Sequence, residues 1–225
     1  MKTLDGNAVR TQRTRERVLA ESLRLFNERG EANVTTGMIA DALGISPGNL
    51  YYHYRNKDEI VERLFRRFAQ RMDLEPDAAA DAANLIEDLW LYLHLTFEAI
   101  RDYRFLYRNL DDLLARNRKL KAQFNRIAER KYQGIVRLCE AMVQAKAMHA
   151  NPEEIRVLAR NILVVATYWL NFDSLRERRA SAADGLGRGA YQVMSLVAPY
   201  LAGEARRHLG AVSRGYIRQS QASLG

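Results

Sequence analysis

The sequence predicts an all-α fold, with an N-terminal three-helix unit that contains a helix-turn-helix and a larger C-terminal helical bundle. Three observations predict it. Apolar residues recur at i, i+3, i+4, i+7 along most of the chain, and no stretch alternates with the period of two that a half-buried strand requires. Helix breakers are scarce, four prolines and 13 glycines in 225 residues, while 48% hydrophobic residues supply a core. Two of those prolines follow capping residues, in Ser46-Pro47 and Asn151-Pro152, where they start helices.

The first stripe, Leu19, Ser22, Leu23 and Phe26, stops at Gly30 and marks helix one. Thr35 or Thr36 caps a second helix of about eight residues, carrying Met38, Ile39, Ala42 and Leu43 and closed by Gly44. After a minimal link, Ser46 caps a third helix running from Pro47 through Tyr54. Asn56 and Glu59 make a capping box for a fourth, whose stripe is Ile60, Leu64, Phe68 and Met72. Two short helices joined at Gly44-Ile45 and flanked by longer ones have the pattern of a helix-turn-helix. Leu74 to Asp77 then breaks the pattern.

Beyond the break, Leu85, Leu89, Leu93, Phe97 and Ile100 form one stripe and Phe105 to Leu114 a shorter segment. A long helix is expected near residues 118 to 148, on Leu120, Phe124, Ile127, Lys131, Ile135, Leu138 and Met142. Asn151, Pro152 and Glu154 start the next, which runs to Phe172 and is apolar on nearly every side from Ile162 to Leu170. The last is expected from Leu186 to Gly203, kinked at Pro199. Five segments result: a flexible arm over 1–10, the helix-turn-helix unit over 11–58, a linking helix over 59–74, the helical domain over 75–210 and a tail over 211–225.

Composition excludes several classes. The densest apolar run has nine residues, against the roughly 20 that cross a bilayer, so no membrane partner is expected. Met1 to Arg17 is polar where a signal peptide would be apolar, and the single Cys139 forms no intrachain disulfide or cysteine metal site; a cytoplasmic protein is expected. The net charge of +8 is diffuse: residues 1–60 hold nine Lys/Arg against eight Asp/Glu, and the surplus lies in the rest. The local feature is Arg10, Arg13, Arg15 and Arg17 ahead of the first stripe. His53, His94, His149 and His208 are isolated, and no zinc-protease, nucleophile-elbow or phosphate-loop motif occurs. Asp111-Asp112 reads as a solvated helix face. No catalytic residues, metal or cofactor are expected, and the protein is not expected to be an enzyme.

Arg17-Val18-Leu19, Leu25-Phe26, Gly30, Thr36, Ile39-Ala40, Gly44-Ile45-Ser46, Gly48 through Tyr54 and Lys57 together resemble the TetR family of bacterial transcriptional regulators. The resemblance covers about residues 10 to 65. Tyr54 stands where phenylalanine is usual, and Gly37 where some members carry a basic phosphate contact. The resemblance implies a DNA-binding domain over 11–58, and over 75–210 a ligand-binding domain that dimerises through its last two helices. A recognition helix presents short or planar polar groups to base edges while its other face is locked to the core, here by Leu50. The candidate DNA contacts are Arg10 and Arg13 in an adjacent minor groove; Thr35, Thr36 and Gly37 on one flank; Ser46, Pro47 and Gly48 at the helix start; Asn49 and Tyr52 at bases; and Tyr51, His53 and Lys57 mainly at phosphates.

One such unit buries too little DNA to be selective, so a homodimer on an inverted repeat of double-stranded DNA is expected. Its candidate interface is Ile162, Val165, Trp169, Tyr191, Met194, Ala198 and Leu201, with Gly185, Gly187, Gly189 and Ala190 either permitting close approach or forming a flexible helix entry. A repressor released by a small hydrophobic effector would bind it among Trp90, His94, Phe97, Tyr107, Tyr132, Asn161, Tyr168 and Trp169. The competing reading is a helical dimeric binding or assembly module that no longer binds DNA.

Overall fold

The computed structural model describes residues 6–73, 85–176, 182–203, 205–207 and 209, without the side chains of 6, 7, 176 and 182–186. The expected break at Leu74 to Asp77, the tail over 211–225, residues 1–5 of the arm and His208 lie outside the described residues. Ten α-helices are described: α1 (Gly6–Arg29), α2 (Thr36–Leu43), α3 (Pro47–His53), α4 (Lys57–Met72), α5 (Leu85–Asp102), α6 (Arg104–Arg108), α7 (Leu110–Arg116), α8 (Arg118–Gln144), α9 (Pro152–Arg176) and α10 (Ala182–Val197). Among the described residues there is no strand, only an isolated bridge between Met148 and Leu201.

Two compact units form, one from residues 1–70 with 103–120 and one from 71–102 with 121–225. In the first, the local signals act as the residue types require. Thr35 Oγ1 accepts from the Met38 N–H at 3.2 Å, and Gly44 closes α2 in the left-handed region at φ 64°. Ser46 Oγ accepts from the Asn49 N–H at 3.2 Å, with Pro47 opening α3. Asn56 Oδ1 accepts from the Glu59 N–H at 2.9 Å, while the Glu59 carboxylate reaches back to the N–H of Arg55 at 2.9 Å. Leu50 is buried and fixes the inner face of α3. Tyr54 lies just past that helix on extended backbone, buried, its hydroxyl donating to the Arg15 carbonyl at 3.2 Å.

Two expectations are corrected here. Residues 6–10 of the expected arm are already helical in α1. Residues 103–120, expected in the C-terminal domain, pack within the first unit. Asn27 ties them there: its Oδ1 accepts from the Phe105 N–H at 3.1 Å, and its carbonyl accepts from Arg108 at 2.9 Å. The rings of Phe26 and Phe105, 5.3 Å apart, and of Phe68 with Tyr103 and Tyr107, each 5.8 Å apart, complete that core.

The second unit contains α5, most of α8, α9 and α10, with α10 packed on both α9 and α5. Asn151 Oδ1 accepts from the Glu154 N–H at 2.9 Å, and Glu154 returns a bond to the Asn151 N–H at 2.7 Å, so the capping box at the start of α9 is reciprocal. Lys131, the one charged residue in the α8 stripe, is buried with its ammonium 4.3 Å from the ring centre of Tyr92. Pro199 does not kink the last helix. It sits in a 3-10 turn, Ala198–Tyr200, after α10 has ended, because it lacks the N–H that a further turn would need.

Candidate nucleic-acid interface

α3 turns a polar edge outward. Ser46, Pro47, Gly48 and Asn49 are exposed, Tyr51 is 50% exposed and Tyr52 78%. Tyr51 is held by a hydrogen bond between its hydroxyl and Thr36 Oγ1 at 3.0 Å, which joins the start of α2 to the side of α3. The cap hydroxyls of Thr35 and Ser46 accept backbone N–H groups and keep their own protons for donation. Gly37 is half-buried, and a Cβ there would meet only Thr35 Oγ1 at 3.6 Å, so packing does not demand glycine.

An open groove of about 750 Å³ runs beside this edge, with Arg10, Arg13 and Arg17 on one wall and Asn49, Tyr52 and His53 on the other. Arg10 and Arg13 are exposed and form no ion pair among the described residues. Three guanidiniums, with no carboxylate among the described residues that line it, make the groove electropositive.

Two residues expected at phosphates are placed differently. His53 is 7% exposed, its ring edge-on to Tyr52 with 5.1 Å between centroids. Burial and the charge of Arg15 hold its pKa below the usual value, so it is a neutral imidazole, and Arg15 donates to its carbonyl at 3.3 Å. It braces the end of α3 and offers no cation at the surface. Lys57 is also turned away: its Nζ donates to the Glu31 carbonyl at 2.9 Å and pairs with the Glu31 carboxylate at 2.9 Å. Arg116 pairs with the same carboxylate at 2.7 Å. Burial pushes the Glu31 carboxyl up, but the bonds and charges of Lys57 and Arg116 outweigh it and hold the pKa below its usual value. Nothing local in the sequence marks Glu31, because its partners lie 26 and 85 residues away.

The residues expected around an effector are not all brought together. Trp90 and His94 are half-buried with rings 5.9 Å apart, and Phe97 and Trp169 converge on Gly189. Tyr132 is half-buried on α8. Tyr107 is corrected out of the set, since it packs in the first unit against Phe68, where burial raises its pKa. Asn161 and Tyr168 are corrected as well, because both are exposed on α9.

The expected dimer face is out of phase. Ile162, Met194 and Leu201 are buried within their own unit, and Val165, Trp169 and Ala198 are half-buried; of the set, only Tyr191 is exposed. Gly187, Gly189 and Ala190 serve packing inside the unit. A Cβ on Gly189 would come within 2.5 Å of Phe97 Cε1 and 2.7 Å of Trp169 Cδ1. The exposed apolar residues of α9 are instead Val157, Val164, Tyr168, Phe172 and Leu175. At 3.6 residues per turn these fall within an arc of about 80°, opposite the buried Ile155, Ala159, Ile162 and Ala166. The helix thus has two apolar faces.

Among the described residues no His, Cys, Asp and Glu cluster is suited to a metal, and no helix is long and apolar enough to cross a membrane. Cys139 is buried, its thiol pushed up to about 12.

Comparisons with known proteins agree with this geometry. A profile described as bacterial regulatory proteins of the tetR family matches residues 18–64, and one described as bacterial transcriptional repressor matches residues 67–209. The HTH-type transcriptional repressor KstR2 of Mycobacterium tuberculosis is 33% identical over 101 residues, 44% of this chain; the chain spans about half the length of that relative, 50%. A crystal structure of a TetR-family transcriptional regulator from Marinobacter aquaeolei VT8 superposes with a TM-score of 0.79 at 33% identity, covering 90% of this chain and 98% of that one. The structure of KstR2 from M. tuberculosis gives 0.64 at 20% identity, covering 84% and 96%, a likeness of fold.

Proposed function

Because this chain belongs to the TetR family of bacterial transcriptional repressors, whose profile covers residues 67–209, we propose that it is a DNA-binding transcriptional regulator and not an enzyme. It acts as a repressor, binding an inverted-repeat operator as a homodimer and leaving it when a small hydrophobic effector binds the second unit. The observation that carries the reading is the outward edge of α3, where Gly48, Asn49, Tyr51 and Tyr52 are exposed beside Arg10 and Arg13, which form no ion pair among the described residues. Asn49 and Tyr52 reach base edges. Tyr51, Thr35, Thr36 and Ser46 supply hydroxyls to phosphate, the Gly37 and Gly48 backbones lie against the strand, and Pro47 meets a thymine methyl.

The outer face of α9 supports the homodimer. Five exposed apolar residues along one side of α9, from Val157 to Leu175 and interrupted by Asn161, are costly in water and suit a self-complementary two-fold contact. Trp90, His94, Phe97, Tyr132 and Trp169 support an effector with apolar or aromatic character. An effector releases DNA by binding more tightly to the arrangement of the dimer that fits the operator less well.

Selection of bound sequences from a random duplex pool tests the whole reading. A palindromic consensus is the expected result. Enrichment of nothing, at low and at moderate salt, refutes it and favours the assembly-module alternative.

A further inference from the structure

With Lys57 held by Glu31, the start of α4 has no free ammonium to offer a phosphate. The free cations of this helix lie further along. Arg63 and Arg66 are exposed, and neither forms an ion pair among the described residues, whereas Arg67 beside them is neutralised by Glu16. The pair borders a cleft of about 250 Å³ between α1 and α4, with Arg15 on the facing wall and Glu16 as the one carboxylate. Arg15 and Arg66 also line a second cleft, of about 580 Å³, that opens at Tyr51 and Tyr52. Its acids, Asp58, Glu59 and Glu62, are committed in part to structure: Glu59 caps α4, and Glu62 accepts from Asn117 at 3.4 Å. With Arg15, Arg55 and Arg66 set against those three acids the second cleft carries no net charge, and the cationic excess lies in the first, where Arg15, Arg63, Arg66 and Arg67 face Glu16 alone. The two clefts join the exposed edge of α3 to the middle of α4.

We propose that Arg63 and Arg66, backed by Arg15, are the phosphate-contacting residues of α4 and hold the DNA strand beyond the segment that α3 reads. The inference rests on the DNA-binding reading above. Two guanidiniums held on one helix face beside a third repel one another in the free protein, and a polyanion in the cleft relieves that repulsion. From Lys57 to Arg66 is roughly 14 Å of helix, several phosphate steps at about 3.4 Å of duplex axis each. The interaction is charge-based and carries no base preference.

The test uses the full chain and a random-sequence duplex, with affinity measured against salt for wild type, Arg63→Gln/Arg66→Gln and Arg63→Lys/Arg66→Lys. Since both side chains are exposed, helix content should be unchanged in every variant. The glutamine pair should flatten the log–log salt slope by about 1.8, at roughly 0.9 for each phosphate left without its cation; the lysine pair should keep the wild-type slope. A glutamine pair with the wild-type slope, in a protein whose wild type binds duplex, overturns this assignment alone. A wild type that binds no duplex at any salt overturns both this assignment and the DNA reading beneath it.

Discussion

Replacing Gly189 by alanine should destabilise the second unit, although alanine is the better helix former. Two opposed terms decide the sign. In an ordinary helix the change gains up to about 1 kcal/mol from propensity and the stiffer unfolded chain. Here the new Cβ lies 2.5 Å from Phe97 Cε1 and 2.7 Å from Trp169 Cδ1, where ordinary contact begins near 3.4 Å, an overlap of about 0.9 and 0.7 Å. The two rings come from different helices, α5 and α9, so relief requires a shift against two packed neighbours. Phe97 is buried, so its ring cannot swing out into solvent without loss of packing. Overpacking of this kind costs roughly 1–3 kcal/mol, leaving, after a gain of about 1, a net loss of up to about 2 kcal/mol. In a urea titration the midpoint should fall with little change in slope. Gly48→Ala is the control, because the nearest atom to a Cβ there is Ser46 Oγ at 4.0 Å, and that variant should be neutral or slightly stabilised. A Gly189→Ala protein as stable as wild type would show that propensity dominates and that the glycine does not serve close helix approach.

Glu31→Gln should remove the carboxylate that ties Lys57 and Arg116 together, at a cost of about 1–2 kcal/mol at neutral pH, since both cations are partly solvated. The folded pKa of Glu31 lies below its usual 4.5, so its contribution is complete above about pH 4.5 and is lost as pH falls through the lower folded value. The stability gap between wild type and variant, followed by urea unfolding, should hold from neutral pH to about 5 and then close; a gap that widens on acidification would contradict the triad. Val164→Glu puts a charge on the outer face of α9, where Val164 is 58% exposed, and should weaken the proposed homodimer at least tenfold while leaving helix content intact. Sedimentation equilibrium decides it: an unchanged dimer constant in the variant rules this face out.

What was legible from sequence divides by how far the determining partner lies. The caps at Thr35, Ser46, Asn56 and Asn151 act within three residues, so the helix starts, and with them the helix-turn-helix, follow from residue type alone. The outward edge of α3 was legible for the same reason: a seven-residue helix locked by Leu50 has one face left to expose. The phase of α9 was not legible. A helix apolar on two opposite faces has almost no amphipathic asymmetry to read, and tertiary packing, of α10 against it above all, decides that Ile162 turns inward and Val164 outward. Charge was least legible of all. Lys57 and Arg63 are alike in sequence as cations on one helix, yet Glu31, reached across 26 residues, takes the first, and no carboxylate among the described residues takes the second. An unpaired cation is a property of the fold, so the phosphate-facing surface of such a protein is found by first removing every cation whose carboxylate the fold has already supplied.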